Sequence, residues 1–177
     1  MKNSTTALLS SLVVAIILLF TSCTKDPFTF TLPLPEISSS TGVGYAPGSI
    51  IVYSAGQYLV DIQEEIEKNG GKLSNLKSVK FKSGNLKITS AGQNFNNIDY
   101  IEAFIKVSSL DSMKLAYKTD IPKTGLTSID MESQYSELSE YFKKDTVAIS
   151  VRGYNSAAIP PLDFKVNISV DITVAQD

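Results

Sequence analysis

Histidine is missing from all 177 residues, which excludes Ser-His and Cys-His nucleophile pairs and any zinc site built on imidazole. Tryptophan is missing too, and that weighs against a carbohydrate-stacking platform. A single cysteine, Cys23, rules out an intrachain disulfide, so stability has to come from packing. Cationic side chains are also too few to build a basic stripe: 16 Lys and Arg face 18 Asp and Glu. Lys77, Lys80, Lys82 and Lys87 alternate with apolar residues as on the wet face of a sheet, and no nucleic-acid partner is expected. The lone Gly-x-Gly, Gly42-Val43-Gly44, neither follows a strand nor opens a helix, so it reads as a loop rather than a phosphate cradle. No cofactor or metal is implied.

What is present begins with Lys2, the apolar run Ala7–Phe20 and then Thr21-Ser22-Cys23. Fourteen apolar-run residues are too few to span a hydrocarbon core about 30 Å thick as a helix, and the pattern is that of a secretory signal. The junction resembles the lipobox of bacterial lipoproteins, with Phe20 where that family usually carries Leu. Ordinary signal peptidase requires a small side chain at the same place, so Phe20 fits it poorly. The resemblance implies that residues 1–22 are removed and that Cys23 becomes an acylated N-terminus. Removal takes away Lys2 alone among the charges and leaves 15 cationic against 18 anionic side chains, a net of −3. Residues 23–26 are then the lipidated Cys and a short tether, and 27–177 a single domain of common size. Thr24-Lys25-Asp26 lacks the aspartate directly after Cys that favours inner-membrane retention in some bacteria, so an outer-membrane lipoprotein of the cell envelope is expected.

The rest reads as strands. Phe164, Val166, Ile168, Val170, Ile172 and Val174 alternate with polar residues without a break, predicting one buried row over 163–174. Shorter alternations predict strands at 146–152, 101–107 and 113–117, with a weaker one around Leu126 and Ile129. Phe28, Phe30, Leu32 and Leu34 alternate with Thr29, Thr31, Pro33 and Pro35, which predicts an edge strand because proline cannot donate to a ladder. Ser83-Gly84-Asn85 between two apolar pairs predicts a hairpin over 77–90, and the Ser- and Gly-rich 38–48 predicts a loop. Leu59, Ile62 and Ile66 share a helical face over 59–68 with Gly70-Gly71 behind, and 133–144 predicts a second helical turn. Together these predict an all-β fold: an antiparallel, immunoglobulin-like β-sandwich with one or two short helices in its connections, a small β-barrel being the alternative.

Without histidine, acid–base chemistry would need paired carboxylates, and the candidates are Asp61 with Glu64 and Glu65, or Asp130 with Glu132 sharing one face of a strand. Neither pair has aromatic subsites or a third ligand beside it in sequence, so each reads first as a solvated polar edge. The eight tyrosines, Tyr45, Tyr53, Tyr58, Tyr100, Tyr117, Tyr135, Tyr141 and Tyr154, read mainly as core residues or caps on the ends of the sandwich. Asp111-Ser112-Met113 and Asp145-Thr146-Val147 resemble the O-glycan acceptor motif that some Gram-negative bacteria use on exported proteins, which makes Ser112 and Thr146 candidate acceptors. The expected function is that of a non-enzymatic binding or structural module, held to the membrane by its lipid and meeting an envelope protein or a glycan. A carboxylate-based hydrolase acting on glycan is the alternative.

Overall fold

The computed structural model describes residues 26–176 apart from 60, 135 and 145, with the backbone alone over 53–59. Its centre is β10 (Asp163–Val174), whose predicted row Phe164, Val166, Ile168, Val170, Ile172 and Val174 is buried throughout. Twelve residues at about 3.3 Å each span nearly 40 Å, so the strand runs the length of the domain within one sheet. Its partner on one side is β4 (Leu76–Ile88). On the other side lie β1 (Phe28–Pro33) and β2 (Ile37–Ser40), set end to end. The sheet is completed by β7 (Ser128–Asp130) on the far edge of β4.

The second sheet runs in the order β3 (Ile50–Leu59), β9 (Thr146–Asn155), β5 (Ile98–Val107), β6 (Leu110–Lys118) and β8 (Glu132–Ser133). Every pairing in both sheets is antiparallel. Ile51, Ile101, Ala103, Ile105, Val147, Ile149 and Val151 point inward against the β10 row, and the fold is the two-layer antiparallel sandwich rather than a closed barrel. The chain passes between the sheets at Met131, whose buried side chain lies between β7 and β8 and whose amide donates to the Gly84 carbonyl at 2.8 Å.

Proline position follows the prediction for β1. The Leu34 amide donates to the Ile168 carbonyl at 2.8 Å, so by alternation the Pro33 nitrogen faces away from β10 and no ladder bond is lost. Between β1 and β2 the register moves by one residue, from Pro33 opposite Ser169 to Ile37 opposite Val166. The inward positions accordingly change from Phe28, Phe30, Leu32 and Leu34 to Ile37 and Ser39. This corrects the loop predicted at 38–48: Ser38–Ser40 belong to β2, because the first half of β10 offers them a ladder and Ile37 anchors them in the core.

The predicted hairpin over 77–90 is also corrected, since β4 is one continuous strand. Ser169 and Val170, adjacent in β10, face Ser83 and Phe81, which leaves Lys82 as the extra residue of a β-bulge. Inward positions therefore pass from Val79 and Phe81 to Gly84, Leu86 and Ile88, and the break in alternation that looks like a turn is this bulge. Gly84 serves packing: a Cβ there would lie 2.8 Å from the Phe81 ring, which covers the bare backbone.

Two short helices lie in the connections. Helix α1 (Ile62–Lys68) is shorter than predicted because Leu59 completes β3. The Asp61 carboxylate accepts the Glu64 amide at 2.9 Å as N-cap, and Ile62 and Ile66 are buried. At the other end the Gly71 amide reaches the Ile66 carbonyl and the Gly70 amide the Glu67 carbonyl, a Schellman closure made possible by Gly70 at φ +82°. Helix α2 (Ser139–Phe142) is a single turn, while Ser133 at the start of the predicted 133–144 stretch belongs to β8.

Ahead of α2, Glu137 performs a task no sequence pattern announced. Its carboxylate accepts the Val79 amide at 2.9 Å, the Ser139 amide at 3.0 Å and the Ser139 hydroxyl, tying α2 to the edge of β4. Burial pushes the carboxyl up, but the Ser139 hydroxyl and the amides of Val79, Ser139 and Leu138 outweigh it and hold the group below its ordinary value.

Ile168→Ala should cost about 2–5 kcal/mol, whereas its exposed neighbour Asn167→Ala should stay within about 0.5 kcal/mol; equal denaturant midpoints would contradict the buried-row assignment. Because the folded Glu137 carboxyl is depressed, its contribution is complete above the ordinary value of 4.5 and is lost as pH falls through the lower folded value. Glu137→Gln should therefore destabilise the protein at neutral pH and flatten the loss of stability on acidification, measured by urea midpoints at pH 7 and pH 3.

Candidate functional site

The outer face of the second sheet carries large side chains where alternation would place small polar ones. Ile50 and Val52 on β3 are 62% and 52% exposed, and Tyr100 on β5 is 37% exposed. Register aligns them in rows: Ile50 opposite Tyr154 opposite Tyr100, then Val52 opposite Arg152 opposite Glu102, with Tyr117 of β6 on the far side of Glu102. The Tyr100 and Tyr154 rings stack at 5.7 Å between centroids and 4° between planes. The Arg152 guanidinium lies 4.7 Å above the Phe104 ring, a cation–π contact that keeps the arginine flat on the sheet.

Beside the stack, Tyr100 and Tyr117 line an open groove of about 180 Å³ with Glu102, Lys114, Thr119 and Gln134. Lys114 Nζ sits 2.6 Å from Glu102 Oε1, so the polar pair in the groove is charge-balanced. The loops around this end are tied down. Lys123 reaches both the Ile98 carbonyl at 2.9 Å and Asp99 at 2.7 Å, and the Ser156 hydroxyl adds a bond to Asp99 at 2.9 Å. The Lys123 ammonium, joined by that hydroxyl, holds the Asp99 carboxyl below the usual carboxylate range. Behind them, the fully buried Asn155 amide donates to the carbonyls of Ala46 and Ala157 at 2.7 and 2.8 Å. Its Oδ1 is a buried acceptor without a protein partner.

Each carboxylate singled out in the sequence has a partner within the fold. Asp61 caps α1, and Glu64 and Glu65 both bind Lys68, at 2.9 and 2.7 Å. Asp130 and Glu132 do not share a strand as expected, because the crossing at Met131 assigns them to β7 and β8 in different sheets. Asp130 accepts from the Asn85 amide at 2.8 Å, and Glu132 pairs with Lys118 at 2.9 Å. Among the described residues, no group of three or more acidic or cysteine side chains is placed to hold a metal ion.

Tyrosine placement divides. Tyr141 is buried with its hydroxyl on the Asp111 carbonyl, and Tyr45 is partly buried against the core, as predicted. Tyr100, Tyr117 and Tyr154 instead face outward, while Tyr135 and the side chains of Tyr53 and Tyr58 lie outside the described residues. The signal for this face was available: Ile50-Ile51-Val52 is apolar at both parities, and Tyr100 and Phe104 interleave with the inward Ile101, Ala103 and Ile105. Of the two acceptor motifs, Ser112 is exposed on β6 and Thr146 is half-buried at the start of β9; Asp145 and the lipidation candidate Cys23 lie outside the described residues. No helix among the described residues is long and apolar enough to cross a membrane.

A scan of the sequence finds no matching family model, and the curated proteins contain no match to it.

The stacked tyrosines give a direct test of local order. A double-mutant cycle with Tyr100→Ala and Tyr154→Ala should return a coupling of about 0.5–1.5 kcal/mol, read from denaturation midpoints; a coupling of zero would mean the rings do not hold one another.

Proposed function

We propose that this chain is an envelope lipoprotein, anchored by acyl chains on Cys23 after loss of residues 1–22, whose sandwich binds a partner without catalysing a reaction. The observation that carries the binding reading is the outer face of the second sheet, with its exposed Ile50 and Val52 and its stacked Tyr100 and Tyr154. Exposed apolar side chains grouped this way are uncommon on a surface that meets only water.

Strand polarity supports the same reading. β1 starts where β10 ends, with Phe28 opposite Val174, and Gly71 behind α1 packs there as well. Tyr45 bridges to Ile159 and the Thr41 amide donates to the Leu162 carbonyl, so the β3 start and the β9 end lie where β10 begins. The tyrosine patch thus occupies the end opposite the one at which a tether from Cys23 enters. Thr24–Pro27 could reach at most about 14 Å, so an anchored domain would stand close to the bilayer with the patch directed away from it. Outer-membrane placement follows from the absence of aspartate after Cys23. Ser112, exposed on β6, suits an O-glycan acceptor better than the half-buried Thr146.

Cys23→Ala should release the protein from the membrane fraction and abolish palmitate labelling. Retention of both signals in the variant would overturn the lipoprotein reading.

A further inference from the structure

We propose that the groove between Tyr100 and Tyr117 binds a neutral sugar ring, so that the partner of this face is a glycan; this rests on reading the face as a binding surface. A groove of about 180 Å³ is well below the roughly 300–1,000 Å³ of pockets that enclose drug-sized ligands. It suits one small ring lying on an open surface. Its charge is already balanced internally, because Lys114 is held 2.6 Å from Glu102. An anion would have to compete with Glu102 for Lys114, and a cation with Lys114 for Glu102, which favours an uncharged ligand.

The lining also selects for chemistry. Tyr100 and Tyr117 offer aromatic surface to the C–H groups of a sugar, while Thr119, Gln134 and Glu102 supply donors and acceptors of both kinds for its hydroxyls. A purely apolar ligand would make no use of the Thr119 and Gln134 side chains. Tyr154, stacked behind Tyr100 at 5.7 Å, holds that ring before any ligand arrives and lowers the ordering cost of binding. Beyond Tyr154 of β9, Ile50 and Val52 of β3 continue the patch across the sheet, so a short oligosaccharide has surface to follow beyond the first ring. Tyrosine takes the stacking role here that the absence of tryptophan had argued against.

The full chain, in a zwitterionic detergent that carries no sugar headgroup, should be titrated with cellotetraose, mannotetraose and chitotetraose. Calorimetry reads binding, and tyrosine emission reports it too, since no tryptophan masks it. Saturable binding of at least one tetrasaccharide is expected, weakened about fivefold to tenfold by Tyr100→Ala or Tyr117→Ala. It should be largely kept by Tyr100→Phe and unchanged by Ser112→Ala at the other end of the sheet. Unchanged denaturation midpoints would show that the weakened variants still fold. Absence of binding to all three sugars, or binding indifferent to both alanine variants, overturns the proposal. A photo-crosslinker at position 52 in intact cells separates the two levels of failure. A protein crosslinked there without any sugar affinity overturns the glycan assignment and leaves the binding face standing; neither signal overturns both.

Discussion

The structure depends on the register of one strand. β10 carries an unbroken inward row and is hydrogen-bonded along both of its sides, so β1, β2 and β4 all take their positions from it. A slip of one residue would turn six core side chains to water at once, and the opposed sheet would lose the surface it packs against. The irregularities of the first sheet are absorbed by the partners: Lys77 and Lys82 are bulged in β4, and the stretch 33–35 takes up one residue between β1 and β2. The strand with the strictest pattern stays regular, and its neighbours deform around it.

That division explains what could be read from the chain beforehand. Alternation revealed β10, and β9 and β5 over 146–152 and 101–107, because there the inward faces are apolar and run without interruption. It failed at Ser83-Gly84-Asn85, where a change of parity has two physical origins, a turn or a bulge. Only the facing strand decides between them, through Ser169 and Val170 opposite Ser83 and Phe81. It failed again at Ser38–Ser40, whose side chains carry no pattern and whose place is set by backbone bonds to β10. The crossing at Met131 is likewise invisible in one dimension, so Asp130 and Glu132 looked like neighbours on one strand.

The outer face of the second sheet was partly legible for the opposite reason. Outward residues are normally unconstrained, and the large side chains at Ile50, Val52, Tyr100 and Tyr154 are excess over what the core requires. Their grouping is a property of register, since positions 50, 100 and 154 meet only when β3, β9 and β5 lie side by side. Glu137 belongs to the same class, a lone carboxylate whose value comes from amides contributed by Val79 and Ser139.

Pro33 has a consequence for how copies of this protein can meet. The exposed side of β1 presents the backbone of Thr29, Thr31 and Pro33, and an arriving strand could find an amide proton at only the first two. Addition of a copy in register would stop short of the 33–35 step, where the register of the edge also shifts by one residue. The first sheet is thereby a poor template for growth into filaments, and molecules gathered at high lateral density could lie edge to edge without polymerising.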